Sequence, residues 1–510
     1  EAVADVIREL FAARGRTMAE NNLRQAMVPV GATTLAVLGA LTALAWLIDF
    51  VAAALGAQRL GAGCRVGLGS RKRAQLQRGA GVQLEHAGAR RGRAFRKRPQ
   101  PLRAGRAARV GQAARALPVE PVVQRGEQSP GDAVDRFTQV KSLIGPKDSL
   151  LVTDSENRSI VSKNRNKQLV PASILKLLTS LVAFHYLGPN YRYKTEFYLD
   201  RHSNLKIKGF GDPLLISEIV NDITGLLSEL IGSSTVINDL VVDDSHFNQP
   251  LTIPGISSSP QPYDAPNGAL CVNFNTVFFK QTGSGYISAE AQTPLLPYAE
   301  KKIRAQNLKN GRFVLSHLEN ENTIYAGELF QYFLKQHGVQ ISGSVTPGQV
   351  DEIEDKLIYR YVSRFSLAQI ISKLLEHSNN FSTNQLFITS GIKASGPPGN
   401  LEKGVAAALD YAANVLQIKN ISVVEGSGIS RQNRVSAHHM LRVLDKFKPH
   451  HRLMRRQGRE FYKTGTLYGV STRVGYIVAE NGGLYRYVVM LNTPGKSTNA
   501  IMGKLVKVLE

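Results

Sequence analysis

Cysteine is almost absent from this chain, with Cys64 and Cys271 the only two among 510 residues. A pair so widely separated builds neither a disulfide framework nor a cysteine-rich zinc site. Acids are scarce beside bases: 40 Asp and Glu stand against 63 Lys and Arg, a net charge of +23. That imbalance raises a polyanionic partner, either nucleic acid or an acidic membrane face. No internal repeat of solenoid length is present, which excludes a stacked-repeat architecture. What is present is ordinary in bulk, 43% hydrophobic and 20% charged, and a fully disordered chain is excluded. The length fits roughly three or four domains.

The charge is unevenly placed. Residues 1–130 hold 19 Arg and 2 Lys against 8 acids, while the remaining 380 hold 42 bases against 32 acids and all 17 tyrosines. Ala26 to Ile48 runs 23 residues without a charge, about 35 Å of helix and enough to cross a bilayer. From Arg59 to Arg115 there are 16 bases and one acid, Glu85, in an Ala/Gly/Gln background. Without hydrophobic periodicity that stretch reads as disordered. Its only aromatic is Phe95, so base stacking is poorly supported and nucleic acid is not the expected partner. The expected order is a membrane-spanning segment of doubtful origin at 1–57, then a basic low-complexity segment at 58–130. No orthodox signal peptide stands immediately before the globular part. A basic block after a span tends to hold the downstream chain in the cytoplasm, and the chemistry argued below needs the opposite side.

From about Val134 the sequence becomes globular. DRFTQVKSLI reads as a short helix and SLLVTDSEN as a strand and turn. PASILKLLTSLVAFHYLGPN is a helix opened by Pro171 and stopped at Gly188-Pro189, apolar on nearly every side and therefore buried. Strand-like segments are expected from Thr195 to about Val345. Helices are expected at ELFQYFLKQHG, SLAQIISKLLEHSNN and NLEKGVAAALDYAANVL. A terminal hairpin turns at Asn481-Gly482-Gly483, and a closing helix starts at Ser497.

In the buried helix Ser173 and Lys176 are spaced i,i+3 and share a face. That suits a serine nucleophile activated by an amine whose pKa is depressed by burial or a second cation. Other Ser-x-x-Lys copies, at Ser203 and Ser390, lie in a polar turn and beside Gly/Pro-rich chain. Ser378-Asn379-Asn380 closes the SLAQIISKLLEH helix, where a hydroxyl and a carboxamide can face one cleft. Lys463-Thr464-Gly465 occurs once, before the terminal hairpin. It offers an anion a fixed cation and a hydroxyl, with Gly allowing close approach to the backbone. The order Ser-x-x-Lys, Ser-x-Asn, Lys-Thr-Gly is far more specific than any one motif.

With those motifs, PASILKLLTS, GFGDPLL, VVDDSHF, PYDAPNGALCVNFN, EGSGISRQNRVS and YKTGTLYGVSTRVGYIV, residues 134–510 resemble the penicillin-binding D-alanyl-D-alanine carboxypeptidases of low molecular mass. These carry domains inserted between the first two motifs. The resemblance implies an α+β fold: a serine β-lactamase/transpeptidase-like domain, antiparallel sheet with helices, at 131–200 and 351–510, interrupted by a mainly β insertion at 201–350. It implies that Ser173 attacks the penultimate D-alanine carbonyl of a peptidoglycan stem, with Lys176 as base and Ser378 and Asn380 relaying protons and holding the substrate. Lys463, Thr464 and Gly465 would receive the terminal carboxylate, and the N–H groups of Ser173 and Thr466 the oxyanion. Asp243 and Phe247 match positions that recognise the stem's side chain, although a turn acid and a core aromatic describe them equally well. The implied enzyme is a serine carboxypeptidase, with endopeptidase action as an extension. It works outside the cytoplasmic membrane, needs no metal or cofactor, and is acylated by β-lactams.

Some residues depart from the family pattern. Glu425 replaces the usual Asp of a DGSG-type turn, and Thr383-Asn384 replace Ala-Glu. The stretch between Ser436 and Lys463 is short, which points to slow turnover or an altered substrate range. His438, His439, His450 and His451 fall there and read as a solvated basic loop rather than a metal site. A β-lactamase or slow penicillin-binding protein is the neighbouring reading, disfavoured for the β-lactamase because no ExxLN-type element is present. A non-catalytic binding protein held at the membrane by its N-terminus is the reading from another class.

Overall fold

The computed structural model describes residues 137–509 except Ser284 and Asn481, all within the unit Val119–Glu510. The apolar stretch at 26–48 and the basic segment at 58–130 lie outside the described residues. Among those described, no helix is long and apolar enough to cross a membrane.

Among the described residues, a helical stretch at 137–142 precedes strands β1 (Asp148–Thr153) and β2 (Ser159–Lys163), and then a 3-10 turn (Ala172–Leu175) runs directly into helix α1 (Lys176–Tyr186). The middle stretch begins with β3 (Lys194–Leu199), β4 (Leu205–Gly209), α2 (Ser217–Ile231), β5 (Val236–Ile237) and β6 (Leu240–Asp243). It continues through β7 (Thr276–Thr282), β8 (Gly285–Ser288), α3 (Pro297–Ala305), β9 (Asn310–Val314) and α4 (Glu321–Gln336). It ends with β10 (Gln340–Ile341), β11 (Val345–Pro347) and β12 (Lys356–Val362). Next come four helices: α5 (Leu367–His377), α6 (Asn380–Ser395), α7 (Leu401–Asn414) and α8 (Ala437–Phe447). The last elements are β13 (Arg455–Gln457), β14 (Glu460–Leu467), β15 (Val470–Val478), β16 (Leu484–Leu491) and α9 (Thr498–Leu509).

Strands from both ends of this span build one six-stranded antiparallel sheet, in the order β13-β14-β15-β16-β1-β2. Asp148 pairs with Leu491. The two-residue period sorts β16 between two layers. Val488 and Met490 enter the core around α1, whereas Tyr487, Val489 and Leu491 meet Ile501 and Leu505 of α9. Both faces are covered, which is why YVVML reads as an unbroken apolar run. Helix α1 sits at the centre with Leu177, Leu178, Leu181 and Val182 all buried, and each such leucine stabilises the fold by about 2–3 kcal/mol.

The middle stretch is mixed rather than mainly β. It has a five-stranded sheet (β11-β6-β4-β3-β12), a three-stranded one (β8-β7-β9) and the pair β10-β5, covered by α2 and α4. Helix α2 falls where strands were expected. Its β-branched Ile219, Val220 and Ile223 look strand-like locally, but with Leu227 they make one buried stripe against Phe197 and Ile207. Its first N–H groups are met from a distance, Ser217 N–H donating to Asn273 Oδ1 at 2.9 Å, a tertiary cap. The middle sheet includes β3 and β12, so it reaches beyond 201 and 350 on both sides.

Candidate active site

The helix expected from Pro171 comes in two pieces, and Ser173 lies in the 3-10 turn while Lys176 opens α1. Ala172 between Pro171 and Ser173 has φ 50°, a left-handed conformation that costs a non-glycine residue roughly 1–2 kcal/mol. Its neighbours hold it there. Thr472 Oγ1 donates to Pro171 O at 2.7 Å, and Gly428, at φ 84°, lies so close to the Ala172 carbonyl that a methyl group would collide with it. Gly465 presses in from β14, where a Cβ would stand 2.7 Å from Ser173 N. Ser173 is thus wedged between two glycine-bearing segments.

Lys176 is fully buried. Its Nζ lies 3.0 Å from Ser173 Oγ, 2.7 Å from Asn380 Oδ1 and 2.6 Å from Ser427 O. The two carbonyl oxygens can only accept, whereas the hydroxyl can also donate. An ammonium meets all three with its N–H groups, whereas a neutral amine meets the two carbonyls with N–H groups and offers its lone pair to the Ser173 hydroxyl. Burial first, then the Lys463 charge, drives the Lys176 pKa well below its ordinary value, opposed by Glu425.

Lys463 reaches Ser378 Oγ at 2.8 Å and Thr464 O at 2.7 Å. It is 3% exposed, and burial, then Arg455, brings its pKa down to about 7. Strand β13 pairs with β14 only as far as Tyr462, so residues 463–467 form an open edge, on which Thr464 and Thr466 are exposed. Ser378 caps α5 at φ 56° and Asn380 starts α6, the reversal that brings both side chains to the two lysines. The structure therefore gathers two hydrogen-bonded groups, Ser173–Lys176–Asn380 and Ser378–Lys463, with Thr464, Gly465 and Thr466 on β14. The Ser390 copy is spent inside α6, its hydroxyl donating to Leu386 O at 2.7 Å.

Asp243 and Phe247 are not part of this group. Asp243 is buried with Oδ1 accepting from Ser245 N at 2.8 Å and Oδ2 from Val350 N at 2.9 Å. Phe247 is 1% exposed in the core, its ring filling the space where Gly211 lacks a Cβ. These are a turn acid and a core aromatic. The histidine pairs form no solvated loop: His438 and His439 belong to α8, where Ser436 and His439 make a capping box. His450 packs tilted against Phe184 with centroids 4.5 Å apart, and His451 meets Phe461 edge-on at 4.8 Å. Among the described residues no group of three or more His, Cys, Asp or Glu is placed to hold a metal.

Two backbone carbonyls complete the site, and sequence offers no sign of either. Ser427 O anchors Lys176, and Tyr263 O accepts from Asn380 Nδ2 at 3.2 Å. The first is fixed by Glu425, which is fully buried. Its carboxylate accepts from Ser427 N, Ser427 Oγ, Gly428 N and Asn433 Nδ2, each at 2.7 Å. Asn384 Oδ1 holds the same turn through Gly426 N at 2.9 Å.

The D-Ala-D-Ala carboxypeptidase 3 (S13) family matches residues 132–312 and 309–457. This chain belongs to that family. As an S13 member it is a serine-type D-Ala-D-Ala carboxypeptidase. A D-alanyl-D-alanine carboxypeptidase of Actinomadura sp. (strain R39) is 26% identical over 409 residues, 66% of this chain and 74% of the relative. Penicillin binding protein 4 (dacB) from Haemophilus influenzae shares the fold, with a TM-score of 0.60 at 19% identity over 72% of this chain and 97% of that one. The same protein complexed with a novel β-lactam gives 0.57 at 19% identity, over 73% and 99%. The S13 match ends at 457, so Lys463, Thr464 and Gly465 are tied to the site by geometry alone.

Proposed function

We propose that this S13 carboxypeptidase works through an acyl-enzyme on Ser173. The observation that carries the reading is the 3.0 Å contact between the Nζ of a buried Lys176 and the Ser173 hydroxyl. Lys176 takes the proton as Oγ attacks the carbonyl carbon of the penultimate D-alanine. The oxyanion meets the N–H groups of Ser173 and Thr466. The C–N bond then breaks, the leaving nitrogen receives the proton held by Lys176 by way of the Ser378 hydroxyl while Asn380 holds the amine in place, and free D-alanine departs. Water hydrolyses the ester by the same route, returning Ser173 to its hydroxyl form. Lys463, with Thr464, receives the substrate's terminal carboxylate, and the open edge of β14 takes the stem as an added strand. Asp243 and Phe247 have no role in this scheme.

In this reading 131–200 and 351–510 make the catalytic, transpeptidase-like part around an insertion near 201–350, and the enzyme acts on stems outside the cytoplasmic membrane. β-Lactams, which carry a carboxylate beside a strained amide, acylate Ser173 in place of substrate, as the β-lactam complex of the Haemophilus protein supports.

Labelled penicillin tests this. The wild-type chain, and residues 131–510 alone, should form a covalent adduct and release D-alanine from a pentapeptide. Ser173→Ala should do neither. An adduct on Ser173→Ala would sink the assignment, and rapid release of hydrolysed drug would make the protein a β-lactamase.

A further inference from the structure

Between Lys446 and Arg459 the chain carries six bases and no acid in 14 residues: Lys446, Lys448, Arg452, Arg455, Arg456 and Arg459. All but Arg459 are exposed. Lys448 and Arg452 belong to a 3-10 turn (Lys448–Leu453), and Arg455 and Arg456 to β13, the strand at the edge of the six-stranded sheet. The flanking acids are already taken, Asp445 by Arg486 and Glu460 by Arg473. Among the described residues no carboxylate pairs with any of the five exposed bases. Charge of one sign, gathered this closely, repels itself unless an anion meets it.

The two strand arginines point to opposite faces. Arg455 stands opposite Tyr462 with its guanidinium 5.8 Å over that ring, and Arg456 stands opposite Phe461 at 5.4 Å over its ring. Phe461 belongs to the core around α1 and Tyr462 to the layer covered by α9, so cations flank the edge on both sides. Charged side chains at a sheet edge also keep it from pairing with foreign strands, but that role needs neither Lys446, nor Lys448, nor Arg452. The geometry selects among anions. A bilayer is flat and meets one face of a strand, and no large apolar side chain is exposed between 446 and 459 to anchor in it. A base-bearing chain needs open rings to stack on, and both rings here lie beneath guanidiniums. A chain of bare phosphates fits, because arginine forks match phosphate oxygens and a flexible polymer can follow an edge with contacts to either side.

We propose that this edge docks a linear phosphodiester polymer of the cell wall, a chain with one negative charge per repeat, held along β13 beside the peptidoglycan that the enzyme trims. Arg455 and Arg456 grip it from the two faces, and Lys446, Lys448 and Arg452 continue the track. Strand β13 pairs with β14, the strand that carries Lys463, so a polymer held here lies next to the catalytic strand.

The test uses the full chain, with poly(glycerol phosphate) of defined length as the probe and calorimetry at two salt concentrations as the readout. Because residues 1–130 hold 19 Arg and 2 Lys of their own, the measured quantity is the difference between wild type and variants that share them. Arg455→Gln and Arg456→Gln should each weaken binding about fivefold, and the triple variant with Arg452→Gln roughly 10²-fold, with a shallower salt dependence. All three positions are exposed, and melting temperatures equal to wild type keep folding out of the comparison. Lys301→Gln with Lys335→Gln, the same kind of change at exposed sites on α3 and α4, should leave binding unchanged. Equal loss from that pair, or no loss from the arginine variants, overturns the proposal. Loss from only one of Arg455→Gln and Arg456→Gln, matched by the same loss on phosphatidylglycerol vesicles, makes the partner a membrane and overturns it too.

Discussion

Lys176 Nζ lies 2.7 Å from Asn380 Oδ1, although 204 positions separate the two residues. The contact occupies one of the two N–H groups of a neutral amine and so turns its lone pair toward Ser173. Asn380→Asp keeps the shape but puts a carboxylate against the amine, which favours the charged lysine. The acid limb of the pH profile for penicillin acylation should move up by about a unit or more, and the rate near neutrality should fall roughly 10²-fold. An unmoved limb would separate Asn380 from the lysine's protonation.

Turnover needs the two lysines in opposite protonation states, Lys176 neutral and Lys463 charged. Lys463 is brought down to about 7, mainly by burial. It is charged below that pH and neutral above it, so capture of a terminal carboxylate weakens as pH rises through about 7. Lys176, depressed well below 10.5, becomes an active base as pH rises. The profile of kcat/KM should therefore be bell-shaped, with a falling limb near 7 that Lys463→Arg moves upward. Stability carries the same signature. A lysine whose native pKa is depressed holds fewer protons folded than unfolded, so its cost is full below about 7 and is relieved as pH rises toward 10.5. Denaturant midpoints measured across that range check the sign.

Gly465 leaves no room for a side chain, since an added Cβ would stand 2.7 Å from Ser173 N. Gly465→Ala should push β14 away from the 3-10 turn and separate the two oxyanion N–H groups. The expected loss in acylation rate is about 10²–10³-fold, with the melting temperature lowered only modestly. Burst kinetics with a chromogenic β-lactam would measure it.

Glu425→Gln replaces an oxygen that accepts backbone N–H groups with an amide that cannot accept at both ends. Charge-assisted bonds of this type contribute about 1.5–3 kcal/mol each, so chemical denaturation should show a loss of that order. The Glu425 charge also raises the Lys176 pKa. Its removal should shift the acid limb of acylation downward, opposite to Asn380→Asp.

The three motifs were legible because side-chain identity carries them, and α1, α5, the β15–β16 hairpin and α9 because apolar spacing does. Helix α6 was not, although it carries Asn380. Asn384, Gln385, Thr389 and Ser390 on it are all buried, so a polar face lies inside and no amphipathic stripe marks the helix. The carbonyls of Ser427 and Tyr263 were invisible for a plainer reason, since backbone groups have no residue-type signature. Asp243 and Phe247 resembled recognition residues in sequence, but two backbone N–H groups and the Gly211 gap already account for them.

The pairing of Asp148 with Leu491 has a consequence for how the enzyme is born. Contacts so distant along the chain form late, because the loop-closure entropy must be met before the pairing rewards it. The middle stretch, with its own buried cluster around Phe197 and Phe330, can settle while the rest is still being made. The sheet cannot close until β16 has emerged, and β14 brings Lys463 and Gly465 only shortly before. Ser173 is synthesised well before the strand that carries Lys463. Peptidase chemistry is thereby withheld from the nascent chain by the order of its strands.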